Sequence, residues 1–283
     1  MVIVLALIVA FLWGYSEIEQ KKALEKYSVF HLVLYKYIFQ ILAYLIFIII
    51  FDIKSFTRFD LGIYKFLLPF ILIWLIGNII YNYCLKNGKL SLVSPILASD
   101  PVFIVIIGLI LFQEKQNVFD LIALIIICIS ICGLNFTNDL KHKKTKKTAI
   151  FLASLYAFLI AIATTLEKSI YLSGYTITDM FFHYLLLLII LVLILFIIIK
   201  IKEQKVLKPN SNVLKTVIAT NAGNLLYSYL VSTAYISLVT PLTGLYSVVT
   251  QVLAKLFLKE KLALTQRIFV LLIIIATLIL LIF

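Results

Sequence analysis

Ten apolar runs, each about as long as a membrane-crossing helix, follow one another along the chain with polar breaks between them. They cover residues 2–18, 31–51, 61–85, 92–112, 118–136, 149–171, 177–199, 213–236, 239–258 and 265–283. A helix rises about 1.5 Å per residue, so about 20 mostly apolar residues cross the hydrocarbon core of a bilayer. The runs are continuous and do not alternate over ~10 residues, which predicts spanning helices and not barrel strands. One break stands out: DLKHKKTKKT at 139–148 is the only strongly charged linker.

One pattern occurs twice within these runs. Residues 77–95 read GNIIYNYCLKNGKLSLVSP, and residues 223–241 read GNLLYSYLVSTAYISLVTP. At a constant separation of 146 residues, Gly77/Gly223, Asn78/Asn224, Tyr81/Tyr227, Tyr83/Tyr229, Ser91/Ser237, Leu92/Leu238, Val93/Val239 and Pro95/Pro241 are identical. Glu114-Lys115 meets Glu260-Lys261 at the same separation. Aliphatic matches count for little in so apolar a chain, whereas paired Gly-Asn, Tyr, Pro and Glu-Lys mark an internal duplication. The expected organisation is a first five-helix repeat over 1–138, a basic linker over 139–148 and a second repeat over 149–283. An odd number of spans per repeat makes the second copy enter the membrane from the opposite side. The expected fold class is therefore an all-α membrane protein, with ten transmembrane helices in two inverted five-helix repeats. Such an arrangement places a substrate site near the bilayer midplane between the repeats.

Composition agrees with lipid as the solvent. The chain is 64% hydrophobic and 13% charged, with mean hydropathy +1.14. Soluble domains are about 45–50% apolar and about 25% charged. A net charge of +12 would suggest a nucleic-acid partner in a soluble protein; here the basic residues sit in the breaks and read as membrane orientation. The breaks after odd-numbered runs are lysine-rich (Lys21, Lys22, Lys86, Lys144, Lys202 and Lys259 among them), while those after even-numbered runs hold only Lys54, Arg58 and Lys115. The positive-inside rule then puts the first set in the cytoplasm and both uncharged termini outside. Cys84, Cys128 and Cys132 lie in apolar runs, an odd number that argues against a disulfide framework. No further ligand stands near Cys128 and Cys132 to make a zinc site. The first run lacks a basic leader, and Glu17, Glu19 and Gln20 follow it in place of a small-residue cleavage site, so it reads as a span and not a secretion signal.

With the repeats in view, the chain resembles the drug/metabolite transporter (DMT) superfamily, EamA type, over nearly its whole length. The likeness rests on Phe11-Leu12-Trp13-Gly14 with Lys21, and on Lys36 in HLVLYKYIFQ, where many members carry Arg. It continues in Leu92–Pro95 through LILFQEKQNVFDLIALIIICISICGL and in Leu238–Pro241 through LFLKEKLALTQRIFVLLIIIATLIL. The Gly usual early in the fifth and tenth helices is replaced by Ala123 and Phe269. The resemblance implies two five-helix repeats, termini in the cytoplasm (opposite to the charge rule) and a small polar metabolite as substrate: an amino acid, a sugar conjugate or a drug-like cation.

A charge at the bilayer centre costs about 2.5–3.5 kcal/mol on insertion scales, so each needs a reason. Asp100 lies mid-run between Pro95 and Pro101, where a kinked helix leaves carbonyls unpaired. It either titrates and pairs in a pathway or packs as a hydrogen-bonded carboxylate. Glu167 and His183 are further proton-coupling candidates. Lys36 either pairs in the bundle or snorkels to the headgroups, and Lys168 and Lys255, near span ends, read as snorkelling. In the repeated motif, Asn78, Tyr81 and Asn82 share one helix face, as do Asn224, Tyr227 and Ser228. These polar faces look into a cavity or clamp neighbouring helices. Trp13, Gln40 and Gln251 are lesser candidates for the same cavity.

The expected function is secondary transport of a small polar metabolite by alternating access, proton-coupled or as an exchanger. The third, fourth, eighth and ninth helices are expected to line the path, with the first and sixth closing it. Two alternatives remain, a channel and an intramembrane enzyme. Against a channel, there is no Gly-rich filter or ring of like charge. Against an enzyme, the His residues are scattered and neither HExxH nor GxSxG is present. No GxxxxGK[ST] loop points to a nucleotide-driven pump. No catalytic residue, metal or cofactor is expected. The expected partners are a small-molecule substrate and the lipid bilayer, with no nucleic acid and no obligate protein partner, in the plasma (inner) membrane.

Overall fold

The computed structural model describes residues 1–88, 90–115, 117–135, 147–203 and 206–257, with 268, 269, 271, 272, 275, 276 and 279. Nearly all of the basic linker, Glu260-Lys261 and most of the tenth expected span lie outside the described residues. The helices are α1 (Val2–Ala23), α2 (Val29–Phe51), α3 (Tyr64–Asn87), α4 (Leu90–Leu97), α5 (Asp100–Ile110), α6 (Val118–Asn135), α7 (Lys147–Leu172), α8 (Ile177–Glu203), α9 (Ser211–Thr233), α10 (Ile236–Gly244) and α11 (Tyr246–Phe257). Two 3₁₀ turns, Ile53–Thr57 and Leu61–Ile63, join α2 to α3. In lipid every backbone group must bond within the segment, and the continuous apolar runs meet that need as helices. Polar breaks start them: the side chain of Ser28 accepts from His31 N at 3.3 Å to cap α2, and Asn210 accepts from Val213 N at 3.0 Å to cap α9.

Seven helical stretches among the described residues are long and apolar enough to cross a membrane. Helix α9 has the length, at 23 residues, but not the hydropathy. It carries Lys215, Thr216, Thr220, Asn221, Asn224 and Ser228 along its course. In α6 the apolar part is the shorter stretch Leu121–Ser130.

The fourth and ninth expected spans are each broken in two. Pro95 sits inside α4, and Pro101 stands in the first turn of α5 beside Asp100. Proline is tolerated there because that turn's N–H groups have no intrahelical partner, and a helix N-terminus favours a carboxylate. The break thus seats Asp100 at a helix start. The ninth span divides after Gly244, so that α11 begins at Tyr246, the position corresponding to Asp100 in the duplication.

Polar ties at the helix ends define two opposite faces. On one, Tyr27 Oη donates to Lys208 O at 2.6 Å, His31 Nδ1 lies 3.0 Å from Glu203 Oε2, and Cys84 Sγ donates to Ala149 O at 3.3 Å. On the other, Arg58 Nε donates to Asp179 Oδ1 at 2.6 Å, Tyr175 Oη to Asp60 Oδ2 at 2.8 Å, and Thr178 Oγ1 to Asp52 Oδ2 at 3.1 Å. Helices α2 and α8 therefore run antiparallel, although each is the second element of its half. Likewise α3 ends on the face where α9 begins. The pairings follow the same exchange: α1 lies on α9 and α3 on α7; α5 lies on α10 and α4 on α11.

Outward-facing positions stay apolar. Ile46, Ile50, Ile190, Leu193 and Ile197 are all more than half exposed on α2 and α8. Patches of this extent are rare on soluble monomers; here they form the surface that meets acyl chains.

Candidate functional site

Helices of both halves line one cavity between them. From the first half, α1 contributes Trp13, Ser16 and Gln20, α2 Lys36, α3 Trp74, Asn78 and Tyr81, and α5 Asp100. From the second, α7 contributes Tyr156, Ile160 and Thr164, α9 Thr220, Asn224 and Tyr227, and the broken ninth span Thr243, Gly244 and Tyr246. The first and sixth spans, expected to close the path, thus line the cavity itself.

The repeated motif performs the same structural task twice. Tyr81 Oη donates to Glu17 Oε1 on α1, and Tyr227 Oη lies 3.1 Å from Thr164 Oγ1 on α7. One residue on, Asn82 Oδ1 accepts from Gln20 Nε2 at 2.6 Å, and Ser228 bonds the carboxylate of Glu167. At the helix ends, Lys21 Nζ donates to Leu85 O at 2.5 Å and Gly88 O at 2.7 Å. Lys168 Nζ donates to Val231 O at 2.9 Å and Ala234 O at 2.8 Å. Lys168 is thus no snorkelling residue: it is 8% exposed and satisfies the last carbonyls of α9. Gly223 lets the Trp13 indole lie on the α9 backbone, since a Cβ there would come within 2.5 Å of Nε1. That indole donates to Asn224 Oδ1 at 3.1 Å.

Of the sequence-derived candidates, Trp13, Lys36, Asn78, Tyr81, Asp100, Asn224 and Tyr227 line the cavity. The rest stand elsewhere. Asn82 and Ser228 are buried behind the wall in the bonds just given. Gln40 donates to Tyr44 Oη at 2.7 Å within α2, one turn beyond Lys36. Gln251 is fully buried on α11, and its amide has no hydrogen-bond partner among the described residues. Glu167 is bonded by Tyr171 at 3.2 Å and by Ser228. His183 lies towards the 53–63 turn, with Nδ1 3.2 Å from Tyr64 Oη and Nε2 3.3 Å from Arg58 O.

Glu17 was absent from the expected set, yet it is the most heavily bonded carboxylate at the cavity wall. Besides Tyr81, Ser94 Oγ donates to its Oε2 at 2.5 Å and Thr250 Oγ1 at 2.7 Å. It is 0% exposed and ties α1 to α3, α4 and α11. The spacing Trp13, Glu17, Gln20 along one helix face was the available signal. Lys36 Nζ sits 5.2 Å from the centre of the Tyr81 ring, so one tyrosine separates the buried carboxyl group of Glu17 from the amine in the cavity. Glu114, head of the repeated Glu-Lys, accepts from Ile236 N at 2.8 Å, Ser237 N at 2.9 Å and Ser237 Oγ at 2.5 Å. It caps the start of α10 across the two halves.

Comparison with known proteins follows the same division. Residues 1–136 and 147–282 each match the EamA-like transporter family. A solved crystal structure superposes with a TM-score of 0.74, covering 99% of this chain and 96% of its own at 12% identity, a likeness of fold. No curated protein matches the sequence. Matched by family over both halves, and presenting apolar helices to lipid, this chain is an integral membrane protein of the DMT type and belongs to the EamA-like transporter family.

Proposed function

We propose that the protein is a secondary transporter that carries a small polar solute by alternating access, with the cavity as its binding site. The observation that carries this reading is the cavity's place: charged and polar groups lie between corresponding helices of the two halves. The antiparallel course of α2 and α8, and the exchange of helix pairings between halves, support two inverted five-helix repeats divided at 139–148. Rocking one against the other opens the cavity to each face in turn. Trp13, Lys36, Asn78, Tyr81, Asp100, Asn224 and Tyr227 contact the solute in this scheme. Asp100 is the candidate for proton coupling that faces the cavity; Glu167 and His183 hold helices in place. The partners are the solute and the bilayer, and the membrane is the plasma (inner) membrane, with the lysine-rich face towards the cytoplasm.

The test is flux in proteoliposomes holding the full chain, across a panel of amino acids, sugar conjugates and organic cations, with and without a pH gradient. Saturable uptake with counterflow is expected. No flux of any solute under either condition defeats the transport reading, and unitary conductance steps replace the carrier with a channel.

A further inference from the structure

We propose that two matched sets of hydrogen bonds, one on each membrane face, act as latches, and that each set must break for the path to open on its side; this rests on the transport reading. Tyr27/Tyr175, Ser28/Thr176, His31/Asp179 and Tyr35/His183 are each 148 residues apart, two more than separate the repeated Gly-Asn motifs. The starts of α2 at Val29 and α8 at Ile177 share that separation. Both starts are capped alike: Ser28 Oγ accepts from His31 N at 3.3 Å, and Thr176 Oγ1 from Asp179 N at 3.2 Å. The other three pairs recur every four residues, so they share one edge of each helix start.

Each edge grips the other half where its second long helix ends and the connection to the third begins. On the lysine-rich face, Tyr27 Oη donates to Lys208 O at 2.6 Å, and Tyr35 Oη donates to Leu207 O. Leu207 N donates to His31 Nε2 at 3.2 Å, which leaves the ring hydrogen on Nδ1, 3.0 Å from Glu203 Oε2. On the opposite face, Tyr175 Oη donates to Asp60 Oδ2 at 2.8 Å, and Arg58 Nε to Asp179 Oδ1 at 2.6 Å. His183 Nε2 lies 3.4 Å from Asp60 N and 3.3 Å from Arg58 O. Asp60 and Lys208 are again 148 residues apart, so the gripping edge and the segment it grips both recur. Every one of these bonds joins one half to the other at a face. Parting the halves at that face breaks its set and leaves the opposite set closed.

The experiment reads distances between paired spin labels on the full chain in proteoliposomes, with Cys84, Cys128 and Cys132 changed to serine. Labels on Glu25→Cys and Lys208→Cys report the lysine-rich face; labels on Lys54→Cys and Ser173→Cys report the opposite one. Tyr27→Phe with Tyr35→Phe should raise the long-distance population on the lysine-rich face about threefold or more, the scale of one lost hydrogen bond. The distance across the opposite face should stay put. Tyr175→Phe with Arg58→Gln should give the reverse. Distances unmoved on both faces in both variants overturn the proposal and make these bonds fixed staples. Lengthening on both faces together, a general loosening of the bundle, overturns it as well. No solute enters these readings, so either failure leaves transport standing, to be judged by flux alone.

Discussion

Glu17→Gln perturbs the most concentrated set of bonds in the wall. The carboxylate accepts from Tyr81 on Oε1 and from Ser94 and Thr250 on Oε2. Hydrogen bonds to a charged group contribute about 1.5–3 kcal/mol each and neutral ones about 0.5–1.5 kcal/mol. The glutamine oxygen keeps two of the three as neutral bonds, losing about 1 kcal/mol in each, and its NH₂ faces the third hydroxyl. The gross loss is about 3.5–5 kcal/mol. A buried amide costs less to desolvate than a carboxylate, which brings the net loss to about 2–3 kcal/mol. The other half contains its own control. Thr164 holds Tyr227 by a single hydroxyl–hydroxyl contact at 3.1 Å, so Thr164→Val should cost only about 1 kcal/mol. Reversible unfolding of the purified chain by SDS in mixed micelles reads both variants on one scale. A Glu17→Gln loss no larger than that of Thr164→Val would refute the reasoning, and so would a gain in stability.

Other outcomes follow from neighbouring features. Glu114→Ala removes three bonds at the start of α10, and the same unfolding titration should show a loss of about 2–4 kcal/mol. Gly223→Ala drives a methyl group into the Trp13 indole; its fluorescence should shift, and transport should fall as the Nε1–Asn224 bond breaks. At the loop face, the hydrogen bond from Arg58 holds the Asp52 carboxyl below its usual range, and backbone Gly62 does the same for Asp60. Groups depressed in the folded state stabilise above the unfolded carboxylate value, about 3.9, and that stability is lost as pH falls through the folded value. Hydrogen exchange over 53–63, corrected for intrinsic rate, should stay level from pH 8 to 5 and quicken below about 4.

The duplication was legible because several of its matched residues hold neighbouring helices together. Gly223 admits Trp13, Tyr81 and Tyr227 reach the first helix of a half, and Glu114 caps α10 across the halves. Asp100 was legible for a different reason: a carboxylate between two prolines in an apolar run is too costly to bury in lipid unless it faces a polar space or a partner. Glu17 was hidden because hydropathy cannot distinguish a polar helix end that meets headgroups from one buried among other helices. Helix α1 runs on to Ala23, beyond the expected end at residue 18, and Glu17, Glu19 and Gln20 are buried there. Lys168 was misread for the same reason. Gln40 shares the α2 face of Lys36 by spacing, but so does Tyr44 one turn further on, and it takes the Gln40 amide within the helix. The break before Tyr246 has Pro241 alone as its sequence mark, where the break before Asp100 has two prolines.

The most direct test of alternating access is thiol labelling from each side of the membrane. Thr220, on the cavity wall, is replaced by cysteine in a chain whose own Cys84, Cys128 and Cys132 are changed to serine. A carrier predicts that membrane-impermeant reagents reach this position from both faces, and that driving one population with solute raises labelling on one face while lowering it on the other. Labelling from a single face under every condition, or from both at once with no reciprocal change, would contradict it.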